Sequence, residues 1–234
     1  MFSKFCNILW DIDGTLLNTN GAGVTPFEKS LSDVIGSEVS LDRKNFSGFT
    51  DFEIVEKLVE TAGCTDLNLD QFIEFKSKYS LRIQSALKIN PAKSVEPARK
   101  FLETFNNNHK IRNFIGTGNI NECAIHKLDS AGILGYFDNK DMYCCDFEHK
   151  DRYSIILKAK NVINVNLLIV GDSPRDIEVA KKLSIPVVAV ATGQHSYEEL
   201  NLLNPDHTLE SNYSSLSLLN AIEDIMQVKY SVKL

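Results

Sequence analysis

An α/β fold is predicted, with a parallel sheet covered by helices on both faces and a small helical insertion near the start of the chain. Two observations lead to it. Apolar strand-like runs near residues 5–10, 111–115, 142–145, 167–171 and 186–191 alternate with helical segments from about residue 93 onward, a pattern that calls for a parallel sheet. Residues 18–89 break that alternation with helical patterns such as Phe52-Glu53-Ile54-Val55-Glu56-Lys57-Leu58-Val59 and Phe72-Ile73-Glu74-Phe75, and carry few strand signals. The expected organisation is a core from residues 1–17 and 90–234 and a helical cap from residues 18–89. The return linker is placed at Ile89-Asn90-Pro91, where proline breaks the preceding helix pattern.

The first strand, Phe5-Cys6-Asn7-Ile8-Leu9-Trp10, runs into Asp11-Ile12-Asp13-Gly14-Thr15. Carboxylates at i and i+2 of an extended backbone point to the same side, which puts Asp11 and Asp13 at one mouth. Such a pair implies a shared proton or a bound cation. Gly14 suits a sharp turn close to a ligand, and the Thr15 hydroxyl can cap that turn or meet the ligand. A later buried run, Leu167-Leu168-Ile169-Val170-Gly171, delivers Asp172-Ser173-Pro174-Arg175-Asp176 and then an amphipathic helix. Ser173 or Asp172 reads as its N-cap and Pro174 as its first residue, so Asp172 and Asp176 gather at a positive helix end. Asp172 also lies at the carboxyl end of a strand, where open α/β sheets bind ligands. Asp176 taken alone reads as an ordinary partner of the helix dipole.

Two further strand ends carry polar tips. Thr117-Gly118-Asn119 offers a hydroxyl and backbone amides that could hold anionic oxygens, although the tripeptide by itself reads as a turn. After Met142-Tyr143-Cys144-Cys145, Lys150 and Arg152 precede a helix through Tyr153, Ile156, Leu157 and Val162, and either would bring a cation to an acidic site.

Taken in this order, the pieces resemble the haloacid dehalogenase-like (HAD) hydrolase superfamily, and its phosphatase branch in particular, the phosphoglycolate phosphatases. Asp11-Ile12-Asp13-Gly14-Thr15 is similar to the first motif, Thr117-Gly118-Asn119 to the second, Lys150 to the third and Gly171-Asp172-Ser173-Pro174-Arg175-Asp176 to the fourth. Lys150 is followed by Asp151-Arg152-Tyr153 rather than the family's Pro-x-Pro, so the third-motif cation is Lys150, which alignment back from Ala159 favours, or Arg152. The resemblance implies a Rossmann-like core with an inserted cap. It also implies Asp11 as the nucleophile of an aspartyl-phosphate intermediate, Asp13 as general acid and base, and Mg2+ among Asp11, Asp13, Asp172 and Asp176. Phosphate oxygens fall to Gly14, Thr117, Gly118, Asn119 and Lys150, and cap specificity to Thr50 and Asp51. The expected reaction is magnesium-dependent hydrolysis of a small phosphate monoester, a phosphoglycolate-like acid first. The alternatives are a phosphomutase of the same superfamily and a non-catalytic phosphate-holding regulator. Asp13 argues against a dehalogenase, whose halide needs no proton, and Thr50 stands where a phosphonate-cleaving relative would carry a Schiff-base lysine.

Composition adds exclusions. A net charge of -6 and a pI near 5.4 argue against nonspecific nucleic-acid binding. No apolar run approaches the roughly 20 residues that span a bilayer, and no long apolar signal core opens the chain. Cys6, Cys64, Cys123, Cys144 and Cys145 are odd in number and lack Cys-x-x-Cys spacing, which suits reduced thiols rather than a zinc site or disulfide framework. The expectation is therefore a cytoplasmic enzyme, monomer or homodimer, acting on a small-molecule phosphate ester, with no nucleic-acid or membrane partner.

Overall fold

The computed structural model describes residues 5–106 and 108–232. Strand β1 (Cys6–Trp10) is followed by a two-residue strand β2 (Leu17–Asn18) and three helices, α1 (Val24–Ile35), α2 (Asp51–Thr61) and α3 (Leu69–Ile89). The chain returns through β3 (Lys93–Ser94) and α4 (Glu96–Phe105) to β4 (Ile111–Ile120) and α5 (Asn121–Ser130). It continues with β5 (Met142–Cys145), α6 (Arg152–Ile163), β6 (Leu167–Gly171), α7 (Pro174–Lys182) and β7 (Val187–Val190). The remaining elements are α8 (Tyr197–Asn201), β8 (His207–Leu209) and α9 (Ser215–Tyr230).

Six strands form one parallel sheet in the order β5-β4-β1-β6-β7-β8. All five residues of β1 are buried, as a central strand covered on both faces requires, and its near-continuous apolar character follows from that position. The polar exceptions are satisfied: the Asn7 side chain donates to the Val165 carbonyl at 2.7 Å, and Trp10 Nε1 donates to Asn113 Oδ1 at 3.0 Å. The sequence next joins β4 on one side of β1 and later β6 on the other. The chain thus switches direction across the sheet at β1, and open α/β sheets hold their ligands at the carboxyl ends of the strands flanking such a switch.

Strand β4 runs five residues beyond the expected end at 115. Its backbone continues past an irregularity between Gly116 and Ile120 to pair Ile120 with Cys145, so Thr117-Gly118-Asn119 belongs to the strand tip rather than to a free turn. Strands β2, β3 and β8 escape sequence reading because two or three residues are too few to display alternation.

The helices between β2 and β3 are joined by a cluster of aromatic rings. Phe27 meets Phe75 and Tyr79 edge-on, each at 5.0 Å between ring centroids, and Phe52 packs on Phe72 at 4.9 Å. The antiparallel pair Leu17 with Ser94 and Asn18 with Lys93 ties the chain together where it leaves and re-enters the sheet-bearing part. Helix α3 reaches α5 through a Lys76–Glu122 ion pair at 3.0 Å and a Ser80–His126 contact at 3.2 Å. Because Phe75 is fully buried at the centre of the aromatic cluster, Phe75→Ala is expected to cost about 3–5 kcal/mol of stability, measurable by denaturant titration.

Candidate active site

Asp11 directly follows β1 and is fastened there, its N–H donating to the Val170 carbonyl of β6 at 3.0 Å. Asp172 follows β6 and Asp176 lies in the first turn of α7. One oxygen from each of Asp11, Asp172 and Asp176 falls within 4.8 Å of the others, and all three residues are buried. The start of α7 shows how the chain fixes this. Ser173 is the N-cap and accepts from the Asp176 N–H, while Asp176 Oδ2 accepts from the Ser173 N–H at 3.1 Å and from its hydroxyl at 2.7 Å. Asp176 therefore closes a capping box as well as facing the site. Asp172 is held differently. Its Oδ1 accepts from the Thr15 hydroxyl at 3.1 Å, and its carboxylate occupies space that only glycines leave open. A Cβ on Gly14, where φ is +86°, would lie 2.3 Å from Asp172 Oδ2, and one on Gly193 would lie 1.6 Å away.

Among the described residues, the cation in contact with this acidic cluster is Arg152, at the first position of α6. Its Nη2 lies 3.0 Å from Asp11 Oδ1 and also donates to Asp176 Oδ1. Lys150 is placed elsewhere. Its ammonium sits 4.3 Å from the Phe52 ring centroid and 4.5 Å from that of Phe147, a cation–π seat, and its carbonyl accepts from the Thr50 hydroxyl. Of the two cations the sequence leaves open, Arg152 is the one brought to Asp11.

Asp13 is also apart from the three-carboxylate cluster. Its Oδ2 accepts from Lys127 Nζ at 2.6 Å and from Asn119 Nδ2 at 2.7 Å. Asn119 additionally donates to Thr117 Oγ1 at 2.8 Å, and Lys127 Nζ donates to Asn119 Oδ1. Sequence reading passed over Lys127. The available signal was its place on the apolar face of α5, in line with Cys123, Ala124 and Leu128, where a lysine is out of character.

The expected cap residues meet the core directly. Thr50 caps α2 in a capping box with Glu53, and Asp51 Oδ2 accepts from the Ile120 N–H at 2.8 Å. Arg175 bonds both Glu53 oxygens, at 2.8 and 3.0 Å, with its guanidinium 3.5 Å from the Phe49 ring centroid. Gly118 permits this approach, since a Cβ there would stand 2.8 Å from Thr50 Cα. Between the two parts lies a cavity of about 230 Å³. Asp11, Asp13, Asp51, Thr117, Lys127 and Arg152 line its polar side, and Phe27, Leu41, Phe46, Phe49, Ile54 and Tyr79 contribute an apolar wall.

Burial governs the electrostatics. It pushes Asp11 up to about 6, with Arg152 pulling the other way and the Asp176 and Asp13 charges adding to the rise. Asp172 is raised well above the usual carboxylate range by burial and then by the Asp11 and Asp176 anions. The three clustered carboxylates of Asp11, Asp172 and Asp176, with Arg152 as their cation, form an oxygen-rich site suited to a hard cation. Asp51 is likewise raised to about 6, chiefly by burial, against the opposing pull of Lys127. A folded-state value above the unfolded one means that folding takes up a proton between about pH 4 and 6. The associated stability is present at low pH and is lost as pH rises through about 6. Removing the charge with Asp51→Asn, which keeps an acceptor for the Ile120 N–H, should raise stability at pH 7 by on the order of 2 kcal/mol and leave it little changed at pH 4, as read by thermal melts across pH.

Comparisons with known proteins bear on the fold and the family. Pyrophosphatase PpaX of Listeria monocytogenes is 22% identical over 222 residues, covering 94% of this chain and 98% of that protein. A β-phosphoglucomutase from Clostridium difficile superposes with a TM-score of 0.68 at 16% identity, covering 97% of this chain and 99% of that one. A structure described as a predicted phosphoglycolate phosphatase, from Haemophilus somnus, gives 0.64 at 19% identity, covering 94% and 99% of the two chains. At these identities the structural likenesses establish the fold. Residues 8–190, which span β1 through β7 and include Asp11, Arg152, Asp172 and Asp176, match the haloacid dehalogenase-like hydrolase family, and the chain belongs to it.

Proposed function

We propose that this hydrolase is a magnesium-dependent phosphatase that cleaves a small phosphate monoester through an aspartyl-phosphate on Asp11. The observation that carries this reading is the placement of a buried carboxylate, Asp11, at the carboxyl end of the central strand, with Arg152 Nη2 at 3.0 Å and Asp172 and Asp176 alongside. A phosphate monoester is an anion that resists attack by another anion, so its charge must be neutralised before a carboxylate can reach phosphorus.

Asp11, Asp172 and Asp176 form an all-oxygen donor set that fits Mg2+, and the magnitude of their mutual repulsion is what a divalent cation would relieve. When bound there, the cation supplies charge neutralisation to the phosphoryl oxygens. The remaining work belongs to the chain. Arg152 holds Asp11 in place and lines the cavity; its buried Nε–H has no hydrogen-bond partner among the described residues, and this donor suits a phosphoryl oxygen. Thr117 and the amides around Gly118 complete the oxyanion contacts. Asp13 gives a proton to the departing oxygen and later takes one from water.

Residues 18–89 act as the cap that encloses the leaving group, with Thr50 and Asp51 docked on the core at Lys150 and Ile120. A cavity of about 230 Å³ accommodates a phosphoryl group and a leaving group of only a few heavy atoms, and phosphoglycolate is the leading candidate. Pyrophosphate, the substrate class in the name of the curated relatives, is the natural comparison.

Phosphate release from phosphoglycolate, pyrophosphate and a set of sugar phosphates, each with and without Mg2+, tests the reading. Release is expected to require Mg2+ and to fall by about 10³-fold or more in Asp11→Asn with the fold retained; undiminished release in that variant would refute it. The two candidate cations separate in the same assay. Arg152→Met should lower kcat/KM by about 100-fold or more, whereas Lys150→Met should change it by less than about 5-fold, and the reverse ranking would return the role to Lys150.

A further inference from the structure

We infer that Lys127 is the positioning residue for Asp13, fixing which of its two oxygens carries the proton. This rests on the phosphatase reading above and adds a residue that the family resemblance did not supply.

Lys127 projects from the apolar face of α5 and is only 6% exposed, although nothing in the packing of Cys123, Ala124 and Leu128 beside it calls for a charge. Its ammonium is spent on two contacts, Asp13 Oδ2 at 2.6 Å and Asn119 Oδ1. Asn119 turns its amide nitrogen to the same Asp13 oxygen at 2.7 Å, so Lys127, Asn119 and Asp13 close a three-membered ring of hydrogen bonds. A carboxyl oxygen that already accepts two N–H donors has no lone pair left for a proton. The proton carried by Asp13 therefore rides on Oδ1, and rotation of the carboxyl, which would exchange the two oxygens, breaks both bonds to Oδ2.

In the first half-reaction a bond forms between an Asp11 oxygen and phosphorus. The bond from phosphorus to the alcohol oxygen breaks, and the proton on Asp13 Oδ1 passes to that oxygen. In the second, water's oxygen bonds to phosphorus, its proton goes to Asp13 Oδ1, and the Asp11 carboxylate leaves with the bonding pair. Lys127 gains and loses no proton in either half. Its contribution is orientation, so its loss is felt only where proton transfer to the leaving oxygen matters.

Leaving-group dependence reads this out. Phenyl phosphate departs as a basic oxygen that needs a proton, and 2,4-dinitrophenyl phosphate as one that does not. In Lys127→Met, kcat is expected to fall by about 30-fold or more on phenyl phosphate and by less than about 3-fold on the dinitrophenyl ester, as in Asp13→Asn. Added to Asp13→Asn, Lys127→Met should cost less than about 2-fold further on phenyl phosphate, because the orientation that Lys127 enforces has no proton left to direct. Equal losses on both esters, no loss on phenyl phosphate, or full additivity would each overturn the inference in favour of a purely structural ion pair. Should Lys127→Met not fold, Lys127→Gln, which keeps a donor of similar reach without the charge, is measured the same way against the same limits. Failure of the underlying reading looks different: no release from either ester by the unaltered protein, or release that survives Asp11→Asn.

Discussion

Three carboxylates within 4.8 Å of one another in a buried site form an arrangement that repels itself, and the protein is built to hold it. Each is restrained by a different device. Asp11 hangs from the end of the central strand through a backbone bond to Val170, Asp172 is wedged into space left by Gly14 and Gly193, and Asp176 is locked into the capping box of α7. Arg152 bridges two of them. The parallel sheet is what makes this possible, because neighbouring strands β1 and β6 end at the same edge and deliver their following residues to one point. A side chain on either glycine would collide with Asp172, so backbone composition and electrostatics are coupled here.

The inserted helices meet the rest of the chain along α3, which packs on α5, through Phe52 and Phe72 against Phe147, and through a polar group at the start of α2. Thr50 donates to the Lys150 carbonyl, Asp51 accepts from Ile120, and Glu53 binds Arg175. Asp51, with Phe49 and Ile54 on either side of it, also lines the cavity, so the start of α2 both meets the sheet-bearing part and forms a wall of the site. The aromatic cluster of Phe27, Phe52, Phe72, Phe75 and Tyr79 joins the inserted helices to one another and, through Phe52 and Phe72 on Phe147, to the core of the sheet-bearing part. Lys150 is lodged at this junction, against Phe52 and Phe147, and Arg152, two residues on and inside the first turn of α6, serves the acids.

Much of the fold was legible in the sequence because its signals are local. Apolar runs long enough to cross the sheet, each ending in Asp, Thr-Gly-Asn or Gly-Asp-Ser-Pro, mark β1, β4 and β6, and the capping chemistry of Ser173 and Pro174 marks the start of α7. The length of β4 was not legible, since Gly116 to Asn119 has the composition of a turn and continues the strand through pairing of Gly116 and Ile120 with β5.

By itself the sequence determined the class of fold, the order of the motifs and the position of Asp11, Asp13 and Asp172 at strand ends, with Asp176 in the first turn of the following helix, because strand-end position and residue type are encoded within a few residues of each other. Tertiary structure alone decided the cations. Whether Lys150 or Arg152 faces Asp11 depends on how the first turn of α6 is rotated against the sheet, and Lys127 joins Asp13 only because α5 packs beside the tip of β4. Long, flexible cationic side chains take their partners from whatever the packing brings within reach, and no spacing along the chain records that choice.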